Sequence, residues 1–190
     1  KRADKSIRNA VDMTRQITDY TKLDSRVRPE PTPVVEAVRE ALEANEQRIA
    51  DMHVRVHVTP DSNTQAMING RQMVMVLSNL IRNSLDALTR ADSPEIKIEW
   101  SAARGCVNMS VSDNGEGVAP EHASRIFDMF YSTRPETGTG IGLALSKKIL
   151  EMYNGSIILD NSYSDGARFK LQVPQVIPES NSAQHGEAGN

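Results

Sequence analysis

Three short stretches of this chain group residue types that can handle a charged ligand. In MVMVLSNLIRNSLDAL (73–88), helical geometry of about 100° per residue gathers Met73, Val76, Leu77, Leu80, Ile81, Leu85 and Leu88 on one broad apolar arc. Asn79, Asn83 and Asp86 fall together on the opposite side. Asparagine is a weak helix former, so a pair at i and i+4 is either an ordinary solvated face or a row of oxygens placed for use. Amide and carboxylate oxygens in a row suit hydrated Mg²⁺, a hard ion that takes only one or two protein ligands when phosphates supply the others. In DNGEGV (113–118), Asp113 ends an alternating strand pattern and Gly115 and Gly117 follow it. Such a turn forms for backbone reasons alone. The same residues also place a carboxylate, which only accepts hydrogen bonds, in a pocket with bare backbone beside it. There it would pair with the exocyclic amine of adenine and repel the carbonyl of guanine.

The third stretch, GTGIGLALSKKIL (138–150), sets Gly138, Gly140 and Gly142 in front of a helical pattern. The spacing is GxGxG with no strand before it, unlike a dinucleotide fingerprint, and no Lys-Ser or Lys-Thr follows, unlike a Walker loop. A glycine-rich turn whose backbone N–H groups face an anion, together with the start of the next helix, fits the pattern. FDMFYSTRPET precedes it, with Phe127 and Phe130 as apolar anchors and Arg134 as a movable cation. A short segment hinged in this way is suited to closing over phosphates.

The elements around these stretches follow from periodicity. Residues 1–29 carry Ile7, Ala10, Met13, Ile17, Tyr20, Leu23 and Val27 at helical spacing, which predicts an amphipathic arm. Pro29, Pro31 and Pro33 mark a boundary. A helix is expected over 34–50, a half-buried strand over 53–58 and a hairpin from 95–100 and 106–112 around Ala102–Gly105. A short helix starts at Pro120. Another covers 144–153 and is closed by Asn154-Gly155. A second hairpin turns near Asp165-Gly166, and from about Ile177 onward the polar tail has no periodicity. The expected fold is α+β: a two-layer α/β sandwich with a mixed, largely antiparallel sheet and its helices on one face. The expected domains are a helical arm (1–29), a main domain (30–174) and a disordered tail (175–190).

Composition narrows the classes. Net charge −3 argues against a nucleic-acid partner, and the single Cys106 fits a reducing compartment without a disulfide framework. No apolar run reaches the ~20 residues that span a bilayer. The opening KRADKSIRNA, without an initiator Met, is what a piece of a longer protein would show.

Taken in order, NLIRN (79–83), DNGEGV, FDMFYSTRP and GTGIGLAL resemble the N, G1, F and G2 boxes of the GHKL ATPases, and among these the sensor histidine kinases. The short segment FYSTRPETGTG resembles the nitrogen-regulatory and dicarboxylate-sensing members. The resemblance implies a Bergerat fold that binds ATP and Mg²⁺, with residues 1–29 as the second helix of a dimerisation and phosphotransfer hairpin. It implies Asn83 as Mg²⁺ ligand, Asn79 near the phosphates, Asp113 on the adenine amine, and Gly115 and Gly117 shaping the base pocket. Arg134 would neutralise phosphate charge beside Gly138, Thr139, Gly140, Ile141, Gly142 and Leu143. Asp86 belongs to the same set, but it stands where several kinases have a lysine, so that cationic contact is in question. The implied partners are a response-regulator receiver domain, the chain's own phosphotransfer hairpin and a second copy in a full-length homodimer. The implied location is a cytoplasmic domain of a protein often anchored in the inner membrane.

None of His53, His57, His122 and His185 sits in an acceptor motif or in the first 29 residues, so all four read as structural or solvated. The chain is therefore expected to bind ATP without phosphorylating itself. The other readings are a GHKL serine kinase or ATPase, and a degenerate docking module. The ATPase reading suffers from the lack of a water-activating glutamate in 73–88.

Overall fold

A computed structural model describes residues 14, 18, 28–59, 64–134 and 138–176. Of the expected arm, Thr14 and Thr18 are helical, and the Thr18 hydroxyl donates to the Thr14 carbonyl at 2.8 Å. The rest of that arm, and the tail beyond Val176, lie outside the described residues.

The central strands of the sheet alternate in burial, while the edge strand expected to be half-buried is largely exposed, with only Val56 partly covered. β2 (Arg55–Thr59), β4 (Glu95–Ala103), β5 (Cys106–Asp113), β6 (Ser156–Leu159) and β7 (Arg168–Pro174) are ordered β2-β4-β5-β7-β6. β2 runs parallel to β4, and every other pairing is antiparallel. Register aligns one apolar row, Ile98–Val111–Phe169–Leu159, and a second, Trp100–Met109–Leu171–Ile157. Both rows face the helices, because a period of two sends all the intervening polar residues to the other side. The β4–β5 turn places Arg104 and Gly105 at φ 54° and 74°, the pair of positive φ values that a two-residue hairpin needs.

The helical layer is α1 (Val34–Glu43), α2 (Glu46–Asp51), α3 (Gly70–Ala87), the short α4 (Pro120–Ala123) and α5 (Gly142–Met152). α3 lies centrally, packed on α1, α5 and β5. Its apolar arc, Met73, Val76, Leu77, Leu80, Ile81 and Leu85, is fully buried. Asn69 caps it by accepting from the Gln72 N–H at 3.3 Å. At the other end of the layer, α5 stops where Asn154 takes φ 55°, doing the work of the glycine usual at that position.

Several expectations change. The helix expected over 34–50 is two helices, broken at Ala44-Asn45, where the Asn45 amide donates back to the Ala41 carbonyl at 2.8 Å. The strand begins at Arg55 because His53 turns with φ 53°. The proline boundary is itself a strand, β1 (Pro31–Pro33), paired with β3 (Gln65–Met67) in a two-stranded sheet. Thr32 secures it by donating to the Ile68 carbonyl at 2.6 Å. Ordered pairing also runs past 174, since Gln175 bridges to Ala66 and the Val176 N–H donates to Gln65. No described helix is long and apolar enough to cross a membrane.

Candidate functional site

A cavity of ≈ 510 Å³ opens between α3, the end of β5 and the segments on either side of residues 135–137. Its walls bring together Asn83, Asp86, Asp113, Gly117, Arg134, Gly138, Thr139, Gly140, Gly142 and Leu143, most of the positions singled out in the sequence. Asn79, Gly115 and Ile141 stand behind the wall. Asn79 is 4% exposed and Ile141 is fully buried.

Asp113 sits at one end of the cavity, 3% exposed. It is the last residue of β5 and continues the strand's buried face, which turns its carboxylate under α3. Burial pushes the carboxyl above the ordinary aspartate range, against the pull of its hydrogen bonds from the Gly115 N–H, the Ser84 hydroxyl and the Ala167 N–H. Oδ1 accepts from the Gly115 N–H at 3.0 Å and the Ala167 N–H at 3.4 Å, and Oδ2 accepts from Ser84 at 2.8 Å. With two lone pairs per oxygen, Oδ1 is filled and Oδ2 keeps one acceptor site. A ligand N–H fits there, and a ligand carbonyl would meet like charge. Gly115 is required beside it: a Cβ would lie 2.7 Å from the Ala87 carbonyl oxygen at the end of α3. Val118, Ile126, Leu143, Phe169 and Ala87 supply apolar walls, the surroundings that bury a planar ring.

The other end is polar and cationic. Asn83 and Arg82 face in from α3, and Arg134, Gly138, Thr139 and Gly140 from the opposite wall. Arg134 is paired with Glu116 of the DNGEGV loop. Asp86 is salt-bridged at 2.5 Å to Arg48 of α2, so a cation does reach this edge from another element. The glycine loop is pinned at its base by a hydrogen bond of 2.9 Å from the Phe130 N–H to the Gly140 carbonyl. Gly140 has φ 67°, and a Cβ there would meet the Phe130 carbonyl carbon at 2.5 Å. α5 starts immediately after this loop, and its N-cap, Ile141, has no side-chain oxygen to satisfy the first turn. Free N–H groups at a helix start favour an anion.

Ser84, Arg82, Glu116 and Tyr131 are not among the residues singled out in the sequence, and His122 is read there as structural or solvated. Arg82 and Glu116 lie inside stretches already singled out, NLIRN and DNGEGV. The Tyr131 hydroxyl and His122 Nδ1, 2.7 Å apart, share a hydrogen bond on the cavity wall. No periodicity links those two positions. His57, by contrast, lies on the far sheet face, 3.8 Å from Glu95.

Residues 68–177 match the family described as histidine kinase-, DNA gyrase B-, and HSP90-like ATPase. The chain is 32% identical over 148 residues to the C4-dicarboxylate transport sensor protein DctB of Rhizobium meliloti, covering 77% of this chain and 23% of that protein. It is 35% identical over 162 residues to the phytochrome-like protein Cph1 of Synechocystis, covering 83% and 21%. The catalytic domain of histidine kinase ThkA superposes with a TM-score of 0.68 at 26% identity, over 77% of this chain and 97% of that one. The chain thus spans about a quarter or less of the length of these curated relatives. With its nucleotide-sized cavity, its boxes in order and these similarities, the chain belongs to the histidine kinase-, DNA gyrase B- and HSP90-like ATPase family, as an ATP-binding catalytic domain of the sensor histidine kinase type.

Proposed function

We propose that this chain binds Mg-ATP with its base against Asp113 and its phosphates between Asn83 and the Gly138–Gly142 loop. It would serve a kinase that moves the γ-phosphoryl group to a histidine on a helical hairpin, and from there to an aspartate of a response-regulator receiver domain. The observation that carries this reading is the single acceptor site left on Oδ2 of the buried Asp113, which selects an amine-bearing base.

Among the described residues no group of three or more His, Cys, Asp or Glu could hold a metal. Asn83, on the cavity wall, would hold Mg²⁺ through its amide oxygen, a hard donor of the kind this ion takes when phosphates and water supply the rest. When bound, the ion would supply neutralisation of phosphate charge. The protein's share is positioning and charge stabilisation. Arg134 leaves Glu116 for the phosphates, the loop backbone donates N–H groups, and the apolar walls exclude water around the base. α3 carries no glutamate to activate water, so transfer to a protein acceptor is favoured over hydrolysis. In the full-length protein the reading includes dimerisation through the helical hairpin.

Calorimetric titration tests it. Mg-ATP is expected to bind, Mg-GTP to fail, and Asn83→Ala to weaken ATP by about tenfold or more, the scale of one charge-assisted contact. A folded wild-type chain that ignores Mg-ATP would sink the proposal.

A further inference from the structure

We infer that Arg82 is a phosphate-binding residue that takes the terminal phosphate of the nucleotide, and that Asn79 acts through it as a positioning residue. The inference rests on the nucleotide reading above and assigns one part of the ligand to one side chain.

The orientation of the Asn79 amide is dictated by its neighbours. Its Nδ2 donates to the Gly142 carbonyl at 3.2 Å and to the Ser146 hydroxyl at 3.3 Å. Its Oδ1 accepts from the Arg82 guanidinium. A carbonyl only accepts and a guanidinium only donates, so the amide cannot be turned over without losing both partners. Asn79 therefore does not face the ligand. It is buried between α3 and α5, and it ties the guanidinium of Arg82 to the residue at which the glycine loop becomes a helix. Arg82 is the part of this relay that reaches the cavity wall.

Position along α3 assigns the phosphate. Ser84 and Ala87 lie at the Asp113 end, where the base is read. Of the α3 residues on the wall, Arg82 is the one farthest from Ala87 towards the helix N-terminus, about 7 Å along an axis that rises 1.5 Å per residue. The length of the arginine side chain extends this separation. Opposite it are Gly138 and Gly140, whose backbone can approach an anion closely. A guanidinium presents a planar fork that matches phosphate oxygens in pairs, and anchoring that fork beforehand lowers the entropy lost on binding. An arginine here for solubility alone would have no need of a buried amide to orient it.

The test compares Mg-ATP with Mg-ADP by calorimetry on wild type, Arg82→Gln and Arg82→Lys, with unfolding temperatures recorded for each. Arg82→Gln is expected to lose about tenfold or more in ATP affinity and less than about threefold in ADP affinity, the difference being the fork's contact with the last phosphate. Arg82→Lys, charged but without the fork, should fall between. Asn79→Ala should lower the ATP-to-ADP affinity ratio in the wild-type background but not further when added to Arg82→Gln, a pattern that simple loss of packing would not give. If Asn79→Ala fails to fold, the Arg82 variants still decide. ATP binding unchanged in Arg82→Gln overturns the inference, and so do equal losses for both nucleotides. Wild-type protein that binds neither nucleotide would overturn the site reading itself.

Discussion

In the proposed function Asp113 meets two opposed demands, since a buried carboxylate costs stability while the same acceptor would read the base. Its native pKa is raised, chiefly by burial, above an unfolded value of about 3.9. The native state then holds the proton longer than the unfolded state, so Asp113 costs stability progressively as pH climbs through that window. In Asp113→Asn the amide oxygen must take the Oδ1 side, facing the Gly115 and Ala167 N–H groups, while Ser84 turns to accept from the new NH₂. The hydrogen bonds survive, but the open position on Oδ2 becomes a donor facing a donor. Asp113→Asn should therefore be at least as stable as wild type at pH 7, by a margin that widens as pH rises from about 4, while ATP affinity falls by more than about tenfold. Urea denaturation across pH 4–7 checks the first part, and a wild type that gains on the variant over that range would refute it. Cavity-wall positions legible in the sequence were those set by local pattern, such as Asp113 at a strand end or Asn83 on a polar helix face. Ser84 was not legible, because its role depends on a carboxylate 29 residues away, and neither was Arg48, 38 residues from Asp86.

At the scale of elements, the two loop glycines differ in what surrounds them. A Cβ on Gly140 would strike the backbone of Phe130 and Tyr131 at 2.5–2.7 Å in a left-handed conformation, and neither strand of that crossing can move without breaking the Phe130–Gly140 hydrogen bond. A Cβ on Gly138 meets mainly the Ser132 hydroxyl at 2.6 Å, the end of a side chain that can rotate away. Gly140→Ala should cost about 1–3 kcal/mol of stability, and Gly138→Ala little; thermal unfolding of the pair would expose the idea if they behaved alike. On the far side of the sheet, Asp160 follows β6, where Lys170 at 2.7 Å and the Ser162 hydroxyl and N–H hold its carboxyl down to about 2. The stability it contributes is present above the ordinary carboxylate pKa and lost as pH falls from about 4 towards its native value. Lys170→Met should flatten the acid limb of the stability curve in that interval, measurable by denaturation at stepped pH, whereas an unchanged limb would argue against the pair. Long periodic elements such as α3 and β4 were legible because their pattern repeats enough to exclude the alternatives. The β1–β3 pairing was not, because three residues with two prolines carry no period of their own. The break between α1 and α2 likewise rests on a single Asn45 side chain turning back on its helix.

For the whole molecule, the proposed function separates nucleotide binding from phosphoryl acceptance. The cavity, its cations and its loop all belong to one body of sheet and helices. The histidines among the described residues are each placed for something else. His53 turns the chain after α2 with φ 53°, and His57 lies on the sheet face away from the cavity, near Glu95. His122 does reach the wall, where its Nδ1 and the Tyr131 hydroxyl share a hydrogen bond, and its place on α4, a helix of four residues that begins at Pro120, sets it near Ile126 of the apolar wall. In-line transfer needs a nucleophile free to approach the terminal phosphate within about 3–3.5 Å. In the proposed pose, a side chain at the apolar end of the cavity lies away from the terminal phosphate and does not meet that requirement. The chain incubated alone with γ-labelled Mg-ATP should consequently acquire no acid-labile label, even at concentrations where calorimetry shows the site filled. Addition of a helical hairpin carrying an acceptor histidine, as a separate polypeptide, should allow the hairpin alone to be labelled, and Asn83→Ala should abolish that transfer. Stable label on this chain, mapped to His122 and lost in His122→Gln, would mean instead that the wall itself supplies the acceptor and that binding and acceptance are not divided between bodies.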